Sequence, residues 1–276
     1  MKTRLTAFAA IMLVLALVLT ACTPVVPQQP TVAATKASEA TAVPKATAVP
    51  SKKYIVASDA TFPPMEMVDA NKQIVGFDID MIDAIAKAMG FEVEIKNTAW
   101  DGIFAGLETG DYDAILSSVS ITEERQQTYD FSDPYVNAGQ SVVVRVGETG
   151  IKSDADLPGK NVGAQIATTG ALALGEIEGV ILKEYDTIDL AFMDLINGAV
   201  DAVVVDTPVA AQYVLTSETF KGKFMIVGEP ITDEYYGLVV RKGENAELLR
   251  LFNEGLKKIK ADGTYDNIYA KWIAGK

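Results

Sequence analysis

The hydrophobic pattern of this chain changes period several times, and each change marks an element. Residues 54–58 (YIVAS) are a short apolar run of the kind a buried strand shows. From Phe77 to Met89 the apolar residues Ile79, Ile82, Ile85 and Met89 recur at helical spacing, and Gly90 stands where a helix should end. A longer regularity follows. Phe104, Leu107, Gly110, Asp113 and Ala114 read F-x-x-L-x-x-G-x-x-D-A, and Phe192, Leu195, Gly198, Asp201 and Ala202 repeat that pattern 88 residues later. In each copy Phe and Leu share one helix face, Gly is the C-cap, and an apolar strand follows (AILSS, then AVVVD). Residues 161–164 (NVGA) read as another strand, leading through 165–170 into an Ala- and Leu-rich helix. Strands alternating with helices, with near-continuous apolar runs, predict two related α/β lobes with mostly parallel sheets.

Sheets of that kind bind ligands beyond the carboxyl ends of their strands. The residues there are Asp59, Thr61 and Phe62, then Ser117, Ser118, Ser120 and Arg125, then Gln165, Thr168, Thr169 and Gly170, and finally Asp206. The repeat makes Ser118 and Asp206 equivalent. In the stretch SSVSITEERQQ, Ser120 or Thr122 can cap a helix, and Ser120 with Glu123 has capping-box spacing. Arg125 then lies in the first turn, against the macrodipole, and calls for an anion, which Glu123 or Glu124 could supply. The alternative partner is a ligand carboxylate, for which a guanidinium is a bidentate fork and the start of a helix at Thr168-Thr169-Gly170 a second donor. Asp206 is the matching acceptor for an ammonium, though an Asx-turn into Pro208 is a plainer role for it. An N-cap is the plainer role for Asp78, and core packing for Phe62 and Trp100, whose alternative is to wall a ligand's side chain.

Composition and the N-terminus narrow the classes. Lys2 and Arg4, an apolar run from about Ala7 to Leu19 and then small residues predict a secretory signal peptide over 1–21. Cys22, the single cysteine, follows Leu19-Thr20-Ala21 and resembles the lipidated cysteine of a bacterial lipobox. Residues 22–53, rich in Pro, Ala, Thr and Val, read as a tether. Residues 54–276 carry 18 basic and 36 acidic residues, a net of −18, which disfavours nucleic acid and anionic membrane surfaces as partners. There is no histidine, no Walker A sequence and no G-x-S-x-G, so no His-based triad or His-ligated metal is expected, and no cofactor.

The segments VASDATFPPMEM, VGFDIDM, SSVSITEERQQTYDFSDPY, GAQIATTG, DAVVVDTPV, EYYGLVV and DGTYDNIYAKWI together resemble the amino-acid-binding proteins of ABC importers, solute-binding protein family 3. The resemblance implies the type II periplasmic-binding-protein fold: two α/β lobes joined by a two-strand hinge, with the ligand cleft between them. It implies lobe I over 54–139 and 238–276, lobe II over 140–237, crossings near 135–141 and 236–240, and terminal helices over 245–260 and 265–273. It implies that Arg125 grips a ligand α-carboxylate with help from Ser120 and Thr169. Asp206, helped by Ser118, takes the α-ammonium, and Phe62 and Trp100 bracket the side chain. Ser117, Thr168 and Gln165 complete the lining. The implied partners are a free amino acid and a membrane permease, and the implied protein is an exported, lipid-anchored or periplasmic monomer. Asp59, with Asp78 and Glu66 in reserve, favours a cationic side chain: arginine first, then lysine or histidine, with glutamine or another polar amino acid as the alternative. A cyclohexadienyl dehydratase-like enzyme using Glu66, Asp59 or Asp78 as acid, and a free-standing sensor domain, are the readings from other classes.

Overall fold

The computed structural model describes residues 52–274. The expected signal peptide, Cys22 and the expected tether up to residue 51 lie outside the described residues. In chain order the first part comprises β1 (Lys53–Ser58), β2 (Thr61–Phe62), β3 (Glu66–Val68), β4 (Ile74–Val75), α1 (Phe77–Met89), β5 (Glu92–Asn97), α2 (Ile103–Thr109), β6 (Ala114–Ile115), α3 (Glu123–Thr128) and β7 (Tyr129–Phe131). A short strand β8 (Val136–Asn137) leads to β9 (Gln140–Arg145), β10 (Asn161–Gln165), α4 (Thr169–Gly175), β11 (Ile181–Tyr185), α5 (Ile188–Asn197), β12 (Ala202–Asp206), α6 (Thr207–Ala211) and β13 (Phe224–Val227). The chain returns through β14 (Tyr235–Tyr236) to β15 (Val239–Arg241), α7 (Ala246–Ala261) and α8 (Thr264–Trp272).

The sequence repeat becomes two five-stranded sheets of matching topology. One has the order β5-β1-β6-β15-β7 and the other β11-β10-β12-β9-β13. In each, the first three strands are parallel and the last two join antiparallel. The fourth strand is the one adjoining the crossing: β9 enters the second sheet just after β8, and β15 enters the first just after β14. β8 and β14 pair with each other, Val136 opposite Tyr236 and Asn137 opposite Tyr235, so the two crossings form one two-stranded connection.

Local chemistry explains the element ends. Gly110 and Gly198, equivalent in the repeat, both take left-handed conformations (φ 83° and 76°) and close α2 and α5. Gly76 starts α1 with φ 145°, and a Cβ there would lie 2.1 Å from the Met65 carbonyl oxygen, so only glycine lets β3 pass the helix start. Asp78 is therefore not the N-cap. It lies inside α1, fully buried, for reasons that belong to the cleft. The helical stripe of α1 (Ile82, Ile85) is buried in one core with Phe252, Leu256 and Ile259 of α7, which packs α7 against α1. In the second body Phe192 of α5 stacks on Tyr213 at 3.9 Å and 7°.

Candidate functional site

β1, β6, β10 and β12 all end on one cleft. Asp59 follows β1, Ser117 and Ser118 follow β6, Gln165 closes β10, and Asp206 closes β12. All eleven residues expected there line a single cavity: Asp59, Phe62, Trp100, Ser117, Ser118, Ser120, Arg125, Gln165, Thr168, Thr169 and Asp206. Glu66 is the twelfth. Every lining residue except Arg125 and Thr168 is buried. Three contacts cross from one sheet's loops to the other's. Ser120 Oγ meets Thr169 Oγ1 at 3.2 Å, Gln165 Nε2 donates to Asp59 Oδ2 at 3.3 Å, and Arg125 Nη2 donates to the Ala167 carbonyl at 3.3 Å. The cleft is closed.

At one end stands Arg125. The cap of α3 is Thr122, whose hydroxyl accepts from Arg125 N–H at 3.1 Å. Ser120 forms no capping box. It bridges to Tyr236 in the connection and turns its hydroxyl to Thr169. The Arg125 side chain leaves the helix, donates Nη1 to the Ser120 carbonyl at 3.0 Å and lies over the rings of Trp100 (5.7 Å) and Phe104 (5.4 Å). Among the described residues it forms no ion pair with Glu123 or Glu124, although the charge of Glu124 lies near enough to act on it. Burial lowers its pKa, opposed by the charges of Glu234 and Asp206. The helix α4 does begin at Thr169, with Thr168 as its side-chain cap, and it is seven residues long.

Opposite lies Asp206. It occupies the N-cap position of α6 but makes no capping bond, so the Asx-turn role falls away. Its carboxyl accepts from Gln140 Nε2 at 3.0 Å, and the same amide nitrogen reaches Thr169 Oγ1 at 3.1 Å. The Tyr236 hydroxyl lies beside it and favours its charged form without a well-aligned hydrogen bond. Burial first, and the charge of Glu234 second, push Asp206 up to about 7. Gln140 and Glu234 escaped the sequence reading. The signal for Gln140 is register: it sits directly across from Asp206 on β9.

Between these ends are the remaining acids. Asp59 accepts from Thr61 Oγ1 (2.8 Å), Trp100 N–H (3.1 Å) and Gln165 Nε2, and burial still raises its pKa. Glu66 is fully buried, accepting from Ser117 Oγ at 3.0 Å and Ser118 Oγ at 3.3 Å. Just behind it Asp78 accepts from Ser118 N–H at 3.0 Å and Tyr135 OH at 2.7 Å. Burial, and for Glu66 also the neighbouring Asp78, hold both carboxyls above their ordinary range. Ser118 adopts φ 52°, a strained value for a serine, and so aims both its N–H and its hydroxyl at this pair. Trp100 and Phe62 each pack in a core cluster and also line the cavity. Three carboxyls, Asp59, Glu66 and Asp206, thus line the cavity with one guanidinium, and among the described residues no second cation lines it to favour their charged forms.

The model of the family of bacterial extracellular solute-binding proteins, family 3, matches residues 54–275. The chain belongs to that family. A "Probable histidine-binding protein" of Neisseria gonorrhoeae is 37% identical over 227 residues, covering 81% of this chain and 84% of that one. The crystal structure of the arginine-, lysine-, histidine-binding protein ArtJ of Geobacillus stearothermophilus is 41% identical with a TM-score of 0.74, covering 81% of this chain and 96% of ArtJ. An ancestral arginine-binding protein, solved with arginine and with glutamine, is 45% identical to this chain. The arginine-bound form has a TM-score of 0.75 and covers 80% of this chain and 97% of that one. The fold of this solute-binding protein is accordingly the type II periplasmic architecture.

Proposed function

We propose that this solute-binding protein captures a free basic amino acid, arginine first and lysine or histidine after it, and delivers it to the permease of an ABC importer. The observation that carries the reading is the charge of the cavity. Arg125 and Asp206 form a complementary pair of ends that fit an α-carboxylate and an α-ammonium. With those ends occupied, Asp59 and Glu66 face the ligand's side chain with no protein cation beside them. Buried carboxylates are stable only when paired, and a ligand guanidinium or ammonium supplies that pairing. The faces of Trp100 and Phe62 add cation–π attraction.

In this role Arg125 holds the carboxylate with the hydroxyls of Ser120 and Thr169, and Asp206 holds the ammonium beside Ser118. The closed cleft excludes water and the ligand bridges the two sheets. Opening at the β8–β14 connection admits and releases it. The protein is exported, anchored through Cys22, and works as a monomer that binds without chemical turnover. Glutamine is the second reading, favoured by the Gln165 amide at the cavity wall and by the glutamine complex of the ancestral relative. A thermal-shift screen of the twenty amino acids tests the choice. Arginine, lysine and histidine should give the largest shifts, and a larger shift with glutamine or glutamate overturns the basic-ligand reading.

A further inference from the structure

Glu66 and Asp78 are an unusual pair for the wall of a ligand cavity. Both are fully buried, and both accept from the same residue, Ser118, whose hydroxyl reaches Glu66 Oε2 at 3.3 Å and whose N–H reaches Asp78 Oδ2 at 3.0 Å. Further donors from the protein are the Ser117 hydroxyl on Glu66 and the Tyr135 OH on Asp78. Asp78 Oδ1 is buried and receives no N–H or O–H from any neighbouring residue. Two neighbouring carboxylates in a dry site do not both ionise; one proton between them satisfies both. The other charged and titratable groups around the pair are Asp59 after β1, Tyr135 before β8, Tyr236 on β14 and Tyr265 on α8. None is a cation, so among the described residues nothing stabilises a double negative charge there.

Glu66 is the member that reaches the cavity, while Asp78 stands behind it. We propose that Glu66 and Asp78 share one proton whenever the cavity is free or holds an amino acid with a neutral side chain, and that a cationic side chain displaces it. The shared O–H bond breaks, the proton leaves to buffer, and the ligand's positive charge takes its place. Basic amino acids therefore bind with release of a proton that neutral ones leave in position. The pair would act as a charge-adaptable wall, a hydrogen-bond donor toward an amide oxygen and an acceptor toward a guanidinium. This rests on the proposed function, because it requires the ligand's side chain to reach Glu66.

The test is calorimetry of arginine and of glutamine at pH 7, each in phosphate and in Tris, whose ionisation heats differ. Both ligands present the same α-groups, so protons exchanged at Asp206 cancel in the comparison. Arginine should release about one proton more than glutamine. The arginine affinity should also weaken relative to glutamine, by up to about tenfold per unit of acidification below the pair's titration. In Glu66→Gln the difference in proton count should vanish while Asp59 remains. Equal proton release by the two ligands overturns the inference, as does a difference that survives in Glu66→Gln. If that variant does not fold, the relative pH slope of the two affinities in the unaltered protein decides, with parallel slopes against the proposal. Failure of every basic amino acid to bind overturns the proposed function itself. Arginine binding without extra proton release overturns only the shared proton.

Discussion

On the proposed reading Arg125 and Asp206 divide an amino acid's zwitterion between them, so neither can be lost for any ligand. Arg125→Ala and Asp206→Ala should each weaken binding of every amino acid by about 2–5 kcal/mol, roughly 30- to several-thousand-fold, because each leaves a desolvated charge unpaired. Titration calorimetry checks this, and near-native affinity in either variant removes that residue from its role. Asp59→Asn should instead be selective, weakening arginine and lysine far more than glutamine. Burial also gives Asp206 a signature in pH. Its pKa is raised to about 7, against about 3.9 for an unfolded aspartate, so the folded protein binds the extra proton between those values. Its contribution to ligand-free stability therefore falls as pH rises from about 4 to about 7. Arginine, by pairing with the ionised form, should give a larger rise in Tm at pH 7.5 than at pH 5, and the reverse order would contradict this. Much of this site was legible in the sequence, since strand ends in an α/β repeat point their polar residues at one place. Gln140 was not, because its role depends on antiparallel register across from Asp206, which no local pattern encodes.

At the scale of elements, the two copies of F-x-x-L-x-x-G-x-x-D-A fixed the helix–glycine–strand units, and Gly110 and Gly198 close them as the pattern implies. What the pattern lacked was the fourth strand of each sheet. β9 precedes the three parallel strands of its sheet in sequence and β15 follows those of its own, so the repeat does not align them. The same limit explains Asp78. Its place near a helix start suggested a cap, whereas Gly76 takes that position and frees the carboxyl to meet Ser118 and Tyr135. Gly76→Ala should cost at least several kcal/mol, or prevent folding, because φ 145° is closed to alanine and its Cβ would lie 2.1 Å from the Met65 carbonyl oxygen. Chemical denaturation measures that loss. A stability within about 1 kcal/mol of the parent would show that β3 and α1 can part without consequence.

For the whole molecule, every cavity-lining residue lies between Asp59 and Asp206, and β1 begins at Lys53. A chain starting at Lys52 should therefore bind its ligand as the full-length protein does, and a large loss of affinity would show that the N-terminal segment belongs to the fold. The net charge of −18 over residues 54–276 has a kinetic consequence. A second depression adjoins the cavity through Asp59 and carries Asp101 and Asp186. A cationic ligand approaching this surface is attracted over a distance that salt shortens. Its association rate should fall with ionic strength more steeply than that of glutamine, as stopped-flow fluorescence would record. The central claim is that the unmatched carboxyls of the closed cleft select a cationic side chain. Direct calorimetric titration of the unaltered protein with arginine and with glutamine, at one pH and one ionic strength, tests it most simply. The charge balance of the cavity predicts the lower Kd for arginine; a lower Kd for glutamine would contradict it.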